Sequence, residues 1–285
     1  MSRDDFADAA LVLLGHGTAL NPGSEAPVFQ HAAELRARNS FAAVREAFWK
    51  QPPRLPEVLA SLDTPRVFIA PLFISEGYFS ERVIPRALGL RTLRPGPFRR
   101  SRRQGRQTFY YCKPVGTHER ITAAILARAR EVVQPTASRR APPLKQITLF
   151  LAGHGTARDP NSRQAIERQA ELIRALGLFA AVQALFLEED PRIGRCWDLA
   201  ATRHIVMVPF FISDGLHVQE DLPVILGAGA QTVQRRLARG RPAWRNPTQR
   251  HGKLLWLSLS VGTHPSLADV VLDRVREAAA SGSSL

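Results

Sequence analysis

A long internal repeat is the feature that most constrains the fold of this 285-residue chain. The stretch PLFISEGYFSERVIP at residues 71–85 recurs as PFFISDGLHVQEDLP at residues 209–223, which lie 138 positions later. The same offset relates LGHGTALNPGS at residues 14–24 to AGHGTARDPNS at residues 152–162. A duplication of this length predicts two similar structural units in tandem.

The limits of the two copies follow from a third shared motif and from the segment between them. VGTH stands near the end of each copy, at residues 115–118 and 261–264. The intervening QPTASRRAPP is rich in proline and charge, which is typical of a linker. We predict a first lobe over residues 1–133, a linker over 134–143 and a second lobe over 144–285.

Each copy alternates short apolar segments with amphipathic ones. In the second copy the apolar segments are QITLFLAG, AAVQALFLE, HIVMVPFFIS and KLLWLSLSVG, whose β-branched and aromatic residues favour buried strands. Amphipathic stretches that begin at Ser162 and Ser266 favour helices. We predict an α/β fold with two tandem similar lobes, each a mainly parallel sheet of about four core strands flanked by helices.

Composition restricts the partners and the compartment. The chain has 39 Lys and Arg residues against 25 Asp and Glu, a formal net charge of +14, which favours anionic partners such as a polycarboxylate or nucleic acid. Cys112 and Cys196 form no disulfide framework, and three Asp residues precede the first apolar run. We expect a cytoplasmic protein that does not enter the membrane, since no apolar stretch approaches roughly 18 residues.

Four potential ligands or proton carriers follow the four predicted strands of the second copy: His154, Glu188, His217 and His264. Taken singly, each has a structural explanation, as a helix cap or a solvated loop residue. Because ligands bind beyond the carboxyl ends of parallel strands, we expect these side chains to meet at one edge. Imidazole and carboxylate groups suit Co²⁺, Fe²⁺, Ni²⁺ or Zn²⁺, and neutral imidazole also accepts protons.

These motifs, GHGT, LFLEEDP, VPFFISDGLHVQEDLP and VGTH in that order, resemble those of the class II chelatases that act on tetrapyrroles. The resemblance is to the two-repeat form of the CbiX/SirB-like sirohydrochlorin cobaltochelatase and ferrochelatase family. It implies a lyase that inserts Co²⁺ or Fe²⁺ into sirohydrochlorin, in cobalamin or siroheme biosynthesis. It also implies that His154, Glu188 and His217 bind the metal and that the two histidines accept pyrrole protons.

The same resemblance makes the divalent ion (Co²⁺, Fe²⁺ or Ni²⁺) a substrate. We expect no organic cofactor, because the chain has neither a P-loop nor a G-x-G-x-x-G motif. In the first copy the equivalent residues are His16, Lys50 and Phe79, so we expect that copy to be degenerate at the metal site. We expect a monomer with an internal pseudo-dimer. The resemblance would place the site of a two-lobed member in the first copy, and this chain departs from that pattern. A change of metal, substrate or activity is therefore open.

Two arginine-rich segments occupy the same place in the two copies, residues 91–107 and 235–253. They fit the carboxylates of an anionic tetrapyrrole across a cleft, or they are solvated surface loops. Nucleic-acid binding, with Phe98 or Trp244 stacking on bases, leaves the histidines unexplained. A non-catalytic tetrapyrrole-binding or metal-binding paralogue is the other alternative, and the roles of His16, His118 and His264 stay open.

Overall fold

The computed structural model describes residues 6–18, 23–92, 96–134, 140–156 and 160–282. The chain packs as two compact units. One comprises Met1–His118 together with Pro265–Leu285, and the other comprises Glu119–His264. No helix within the described ranges is both long and apolar enough to cross a bilayer.

Ten strands and nine α-helices are assigned within the described residues, together with short 3-10 and π-helical turns. The strands are β1 (Phe6–Gly15), β2 (Phe41–Phe48), β3 (Arg66–Pro71), β4 (Ser101–Gln104), β5 (Gln107–Tyr111), β6 (Ile147–Gly153), β7 (Ala181–Phe186), β8 (His204–Pro209), β9 (Thr248–Arg250) and β10 (Lys253–Leu257). The helices are α1 (Ala26–Ala37), α2 (Leu55–Ala60), α3 (Ile84–Ala87), α4 (Ile121–Val132), α5 (Pro160–Ala175), α6 (Cys196–Leu199), α7 (Leu222–Ile225), α8 (Ala230–Leu237) and α9 (Leu267–Gly282).

Each unit is built on a five-stranded sheet with the same topology. The strand order is β2-β1-β3-β5-β4 in the first unit and β7-β6-β8-β10-β9 in the second. Four strands of each sheet are parallel, and the fifth is an antiparallel edge strand, β4 or β9. The predicted α/β class and the four core strands per lobe are confirmed, and the extra edge strand comes from the arginine-rich segments.

The central parallel strands β1, β3, β6 and β8 are buried on both faces over most of their length, as their continuous apolar sequences predict. In β1 the run from Leu11 to Leu14 is fully buried, and in β6 Leu149, Phe150 and Leu151 are equally inaccessible. Helices that follow the strands cover both sides of each sheet. This buried framework fixes the carboxyl ends of the strands, where the candidate functional residues begin.

The last helix of each repeat packs in the unit that contains the other repeat's sheet. Helix α4, from the first repeat, packs on β8 and α5, while α9, from the second repeat, packs on α1, β3 and β5. The buried apolar residues of the α4 face are Ile121, Ala124, Ile125 and Ala129. The predicted lobes, 1–133 and 144–285, follow the duplication. The compact units differ from these lobes by the exchange of α4 and α9. The exchange is possible because the two helices present equivalent apolar faces.

A buried arginine connects each exchanged helix to the VGTH turn that follows the last parallel strand. Arg128 of α4 donates from Nε to the Ser260 carbonyl at 3.2 Å and from Nη2 to Thr263 Oγ1 at 2.9 Å. Arg274 of α9 makes the equivalent pair of bonds in the first unit. Each arginine thus makes one charge-assisted bond to a backbone carbonyl and one to a threonine hydroxyl, which makes this connection specific as well as stabilising.

The glycine of each VGTH turn allows a close approach between backbone segments. A Cβ added to Gly116 would lie 2.1 Å from the carbonyl oxygen of Ile74, and one added to Gly262 would lie 2.2 Å from the Cα of Ile212. No side chain fits in that space. The turn therefore packs directly on the loop that follows β3 or β8.

Candidate active site

The predicted functional side chains of the second unit begin where its neighbouring parallel strands end. His154 directly follows β6, Glu188 lies two residues after β7, and His217 begins a π-helical turn, His217–Asp221, after β8. Strands β7, β6 and β8 are adjacent in the sheet. Their carboxyl ends consequently meet at one edge, which is where parallel α/β sheets bind ligands.

These three residues line one open cavity of about 400 Å³. The imidazole rings of His154 and His217 have centroids 5.4 Å apart and lie at 79° to each other. His154 Nδ1 lies 3.6 Å from Glu188 Oε1, which is an electrostatic contact rather than a hydrogen bond. The side chains of His154, Glu188 and His217 are 40%, 55% and 52% exposed, so a solute can reach all three.

A carboxylate fixes the orientation of His217. Its Nδ1 lies 2.7 Å from Asp221 Oδ2, four residues later in the same π-helical turn. A carboxylate only accepts hydrogen bonds, so in the neutral ring Nδ1 carries the hydrogen and Nε2 keeps its lone pair. Asp221 and its neighbour Glu220 line the same cavity.

The ligand-type side chains are arranged in pairs. Within the part of the chain that the structure describes, no three or more His, Cys, Asp or Glu side chains are close enough together to hold a metal ion. His154 is instead beside Glu188, and His217 is bonded to Asp221. The edge is therefore an open arrangement of proton acceptors and potential ligands, without a closed metal cage.

The corresponding edge of the first unit has different chemistry. His16 packs edge-on against Phe79, with ring centroids 4.7 Å apart, and the ammonium of Lys50 lies 5.2 Å from the centre of the same Phe79 ring. Burial lowers the pKa of His16, and the positive charge of Lys50 lowers it further. An aromatic ring and an ammonium group thus replace the second imidazole and the carboxylate.

His264 does not line the cavity with the other three strand-end residues. Its Nε2 lies 3.2 Å from Glu131 Oε1 on α4. Burial lowers the pKa of His264, with a further contribution from the nearby charge of Arg128. His118 has an equivalent arrangement in the first unit, with Nε2 at 3.5 Å from Glu277 Oε1. The structure therefore brings three of the four predicted side chains together.

The arginine-rich segments form the antiparallel edge of each sheet. Residues 91–107 include β4, and residues 93–95 lie outside the described part of the chain. Residues 235–253 include the end of α8 and all of β9. Several of the arginines bond locally, as Arg102 does to the Leu88 carbonyl and Arg236 to the Pro242 carbonyl. The binding of substrate carboxylates by these arginines stays a prediction.

Asp221 is a site residue that the sequence patterns did not identify, although its spacing of four residues from His217 is that of neighbours on one helical turn. In the first repeat the residues equivalent to His217 and Asp221 are Phe79 and Val83. An imidazole and a carboxylate four residues apart are both replaced by apolar side chains. The first repeat therefore lacks both members of the pair.

A family model described as CbiX matches the chain twice, over residues 10–132 and 148–278. The chain belongs to the CbiX family. The two matches confirm the tandem repeat, and together they span most of the chain.

Two relatives show how this CbiX chain compares in length. A protein of Halobacterium salinarum described as a probable sirohydrochlorin cobaltochelatase is 41% identical over 281 residues, which cover 95% of this chain and 92% of the relative. A protein of Methanopyrus kandleri described as a sirohydrochlorin cobaltochelatase is 28% identical over 152 residues, which cover 46% of this chain and 96% of that protein. About half of this CbiX chain thus corresponds to a whole shorter relative.

Solved structures resemble this CbiX chain over nearly its full length. DR2241 of Deinococcus radiodurans, reported as a multi-domain protein with structural similarity to chelatases and two additional novel domains, is 30% identical with a TM-score of 0.75. The alignment covers 95% of this chain but only 55% of DR2241. SirB of Bacillus subtilis with Fe³⁺ is 18% identical, covers 97% of each chain with a TM-score of 0.68, and shows the shared fold. From these relationships the CbiX chain is a metal chelatase, a lyase.

Proposed function

We propose that this chelatase inserts Co²⁺ or Fe²⁺ into sirohydrochlorin or a closely related tetrapyrrole, in cobalamin or siroheme biosynthesis. The 41%-identical relative described as a probable sirohydrochlorin cobaltochelatase supports the substrate class. The observation that carries the proposal is the single open cavity shared by His154, Glu188 and His217. Chelation needs both proton acceptors and metal ligands, and these side chains supply both.

Insertion of a divalent ion into a ring exchanges that ion for two N–H protons of the macrocycle, so charge and atoms balance when both protons leave. His154 and His217 share the cavity, and their imidazole nitrogens are the groups there that can receive protons from the ring. The Glu188 carboxylate, 3.6 Å from His154 Nδ1, favours the imidazolium that results. Proton removal and ion delivery thus occur at the same edge.

Asp221 prepares His217 for this role. Because Nδ1 is committed to the carboxylate, the lone pair of Nε2 is the one available to an ion or to a pyrrole proton. The carboxylate also stabilises the ring once it has become positively charged. We assign Asp221 as a positioning residue, since it acts through His217.

The open arrangement of the edge suits an ion that is a substrate. A closed cage of three or more side chains would retain the ion, whereas paired ligands leave coordination positions for the nitrogens of the ring. Imidazole and carboxylate sites bind divalent first-row ions in the general Irving–Williams order. The choice between cobalt and iron therefore depends on more than these three side chains.

The test follows the visible absorption of anaerobic sirohydrochlorin with Co²⁺, and separately with Fe²⁺, at fixed pH, with and without the protein. We expect faster spectral conversion than in the uncatalysed reaction, with the acceleration lost in His154→Ala and in His217→Ala. The matched control is His16→Ala, which removes the equivalent imidazole from the first unit and should retain most of the rate. Equal loss in all three variants would contradict a single working site, and ring binding without conversion would contradict chelation.

A further inference from the structure

The first unit contains a cavity of about 590 Å³. It shares no residue with the candidate active site, which lies in the second unit. It lies between the end of β5 and helix α9. Four basic residues line it, together with one acidic residue. They are Arg99, Arg100, Lys113 and Arg274, with Glu277.

Two of the four cations are balanced by carboxylates. Arg100 Nη2 lies 2.5 Å from Glu81 Oε2, and Arg274 Nη1 lies 2.7 Å from Glu277 Oε2. These two ion pairs are therefore close to neutral overall. Their arginines are 25% and 6% exposed and form the less accessible, inner wall of the cavity.

The other two cations have no such compensation. Arg99 and Lys113 are exposed, and neither forms an ion pair with a carboxylate within the described residues. The cavity mouth consequently carries an excess of positive charge. A concave surface with charge of one sign concentrates the opposite charge.

The inner wall is held in place before any ligand arrives. The guanidinium of Arg100 lies 4.8 Å from the centre of the Phe98 ring and 5.7 Å from that of Tyr111. Arg274 is buried, and its Nε and Nη2 are already bonded to the VGTH turn. Such pre-organisation reduces the entropic cost of binding.

The equivalent cavity of the second unit, about 660 Å³, keeps some of these cations and replaces others. The helix arginine is kept there as Arg128. Lys113 corresponds to Leu259, however, and Arg100 corresponds to Asn246. The position of Arg99 keeps an arginine, Arg245. The same topology therefore forms without a cation at the position of Lys113, so the fold does not require this exposed lysine.

We propose that the cavity of the first unit binds a multivalent oxyanion, through charge-assisted contacts of its arginine and lysine side chains. Carboxylates and phosphates share the required chemistry, a compact group of acceptor oxygens with negative charge. This site is independent of the proposed chelation reaction, because it uses no residue of the candidate active site.

The test is isothermal titration calorimetry of the full chain with citrate, and separately with inorganic phosphate, at an ionic strength fixed with sodium chloride. We expect saturable binding at one site. Lys113→Leu, which introduces the residue of the second repeat, and Arg99→Ala should each raise the Kd roughly tenfold or more. Both side chains are exposed, and thermal unfolding checks that each variant is folded.

The matched control is Arg245→Ala, which removes the same charge at the position equivalent to Arg99 in the second unit and should leave the Kd unchanged. Tighter binding of citrate identifies a carboxylate site, and tighter binding of phosphate identifies a phosphate site; either result supports the proposal. Absence of saturable binding of both anions would overturn it. Equal weakening by Arg245→Ala would also overturn it, because binding would then depend only on net charge.

Discussion

His217 Nδ1 lies 2.7 Å from Asp221 Oδ2, and the first repeat has an apolar residue at both equivalent positions, Phe79 and Val83. Both repeats nevertheless form the same π-helical turn at this place. The turn is therefore a property of the shared fold, while the second unit alone carries the imidazole–carboxylate pair. Departures from α-helical geometry of this kind are frequent at functional sites.

Replacement of Asp221 by alanine should lower kcat for metal insertion by roughly 10–100-fold, because His217 loses the partner that fixes its orientation. Asp221→Asn keeps an acceptor oxygen for Nδ1–H and should recover much of that loss. Steady-state kinetics with separate kcat and KM values checks both. Val83→Ala, the equivalent position in the first unit, is the control and should behave like the unmodified protein. Identical kinetics for the alanine and asparagine variants would refute the positioning role.

The stability of the protein should fall as the pH is lowered below about 6.5, the ordinary pKa of histidine. Burial and the charge of Lys50 lower the pKa of His16 in the folded state, so the unfolded chain binds more protons in this range. The loss begins as the pH falls through the unfolded pKa and is complete below the lowered, folded one. His264, whose pKa is also lowered, contributes in the same direction.

Urea unfolding at pH 7.5 and 5.5 measures this effect. His16→Asn should reduce the difference in the free energy of unfolding between the two pH values, since it removes one of the responsible groups. His251→Asn, at an exposed position in the turn between β9 and β10, should leave the difference largely unchanged. A pH dependence that is unaltered in His16→Asn would argue against this origin.

Gly262→Ala should destabilise the protein by roughly 1–3 kcal/mol, because the added methyl group would overlap the backbone of Ile212. Gly194→Ala is the control. A Cβ at Gly194 meets only ordinary contacts with Ile225, at 3.6 Å or more, and should change stability by no more than about 0.5 kcal/mol. Chemical denaturation of both variants compares the two effects, and similar values would contradict the close-approach argument.

A fragment of residues 119–264 should fold better than one of residues 144–285, although the two have nearly the same length. The first fragment retains α4, whose buried apolar face packs on β8 and α5, while the second lacks that helix and carries α9 instead. Circular dichroism and thermal unfolding distinguish them, with a cooperative transition expected for 119–264. A higher Tm for 144–285 than for 119–264 would contradict this expectation, because it would show that α9 can replace α4 on the sheet of the second repeat.

Local patterns were sufficient to predict much of this molecule. The apolar segments of the repeats became β6, β7, β8 and β10, because a strand buried on both faces needs a continuous apolar sequence. The chain order of those strands also placed His154, Glu188 and His217 at one edge, since the carboxyl ends of parallel strands lie together.

The sequence did not predict the partners that depend on packing between distant segments. His264 follows a strand as the other three site residues do, yet it bonds to Glu131, which lies on α4 in the preceding repeat. Asp221, in contrast, meets His217 on one helical turn at a spacing of four residues, which the sequence already contained. The His264–Glu131 contact depends on a long-range backbone path that residue spacing does not specify.

The sequence by itself determined the duplication, the α/β class, the strands and the chemistry of the second-copy edge, because these depend on residue type and on periodicity along the chain. Only the tertiary structure decided which sheet each final helix covers. Helices α4 and α9 have equivalent apolar faces and equivalent buried arginines, Arg128 and Arg274, so local sequence gives neither sheet a preference. The choice follows from the long-range packing that buries each helix in the unit of the other repeat.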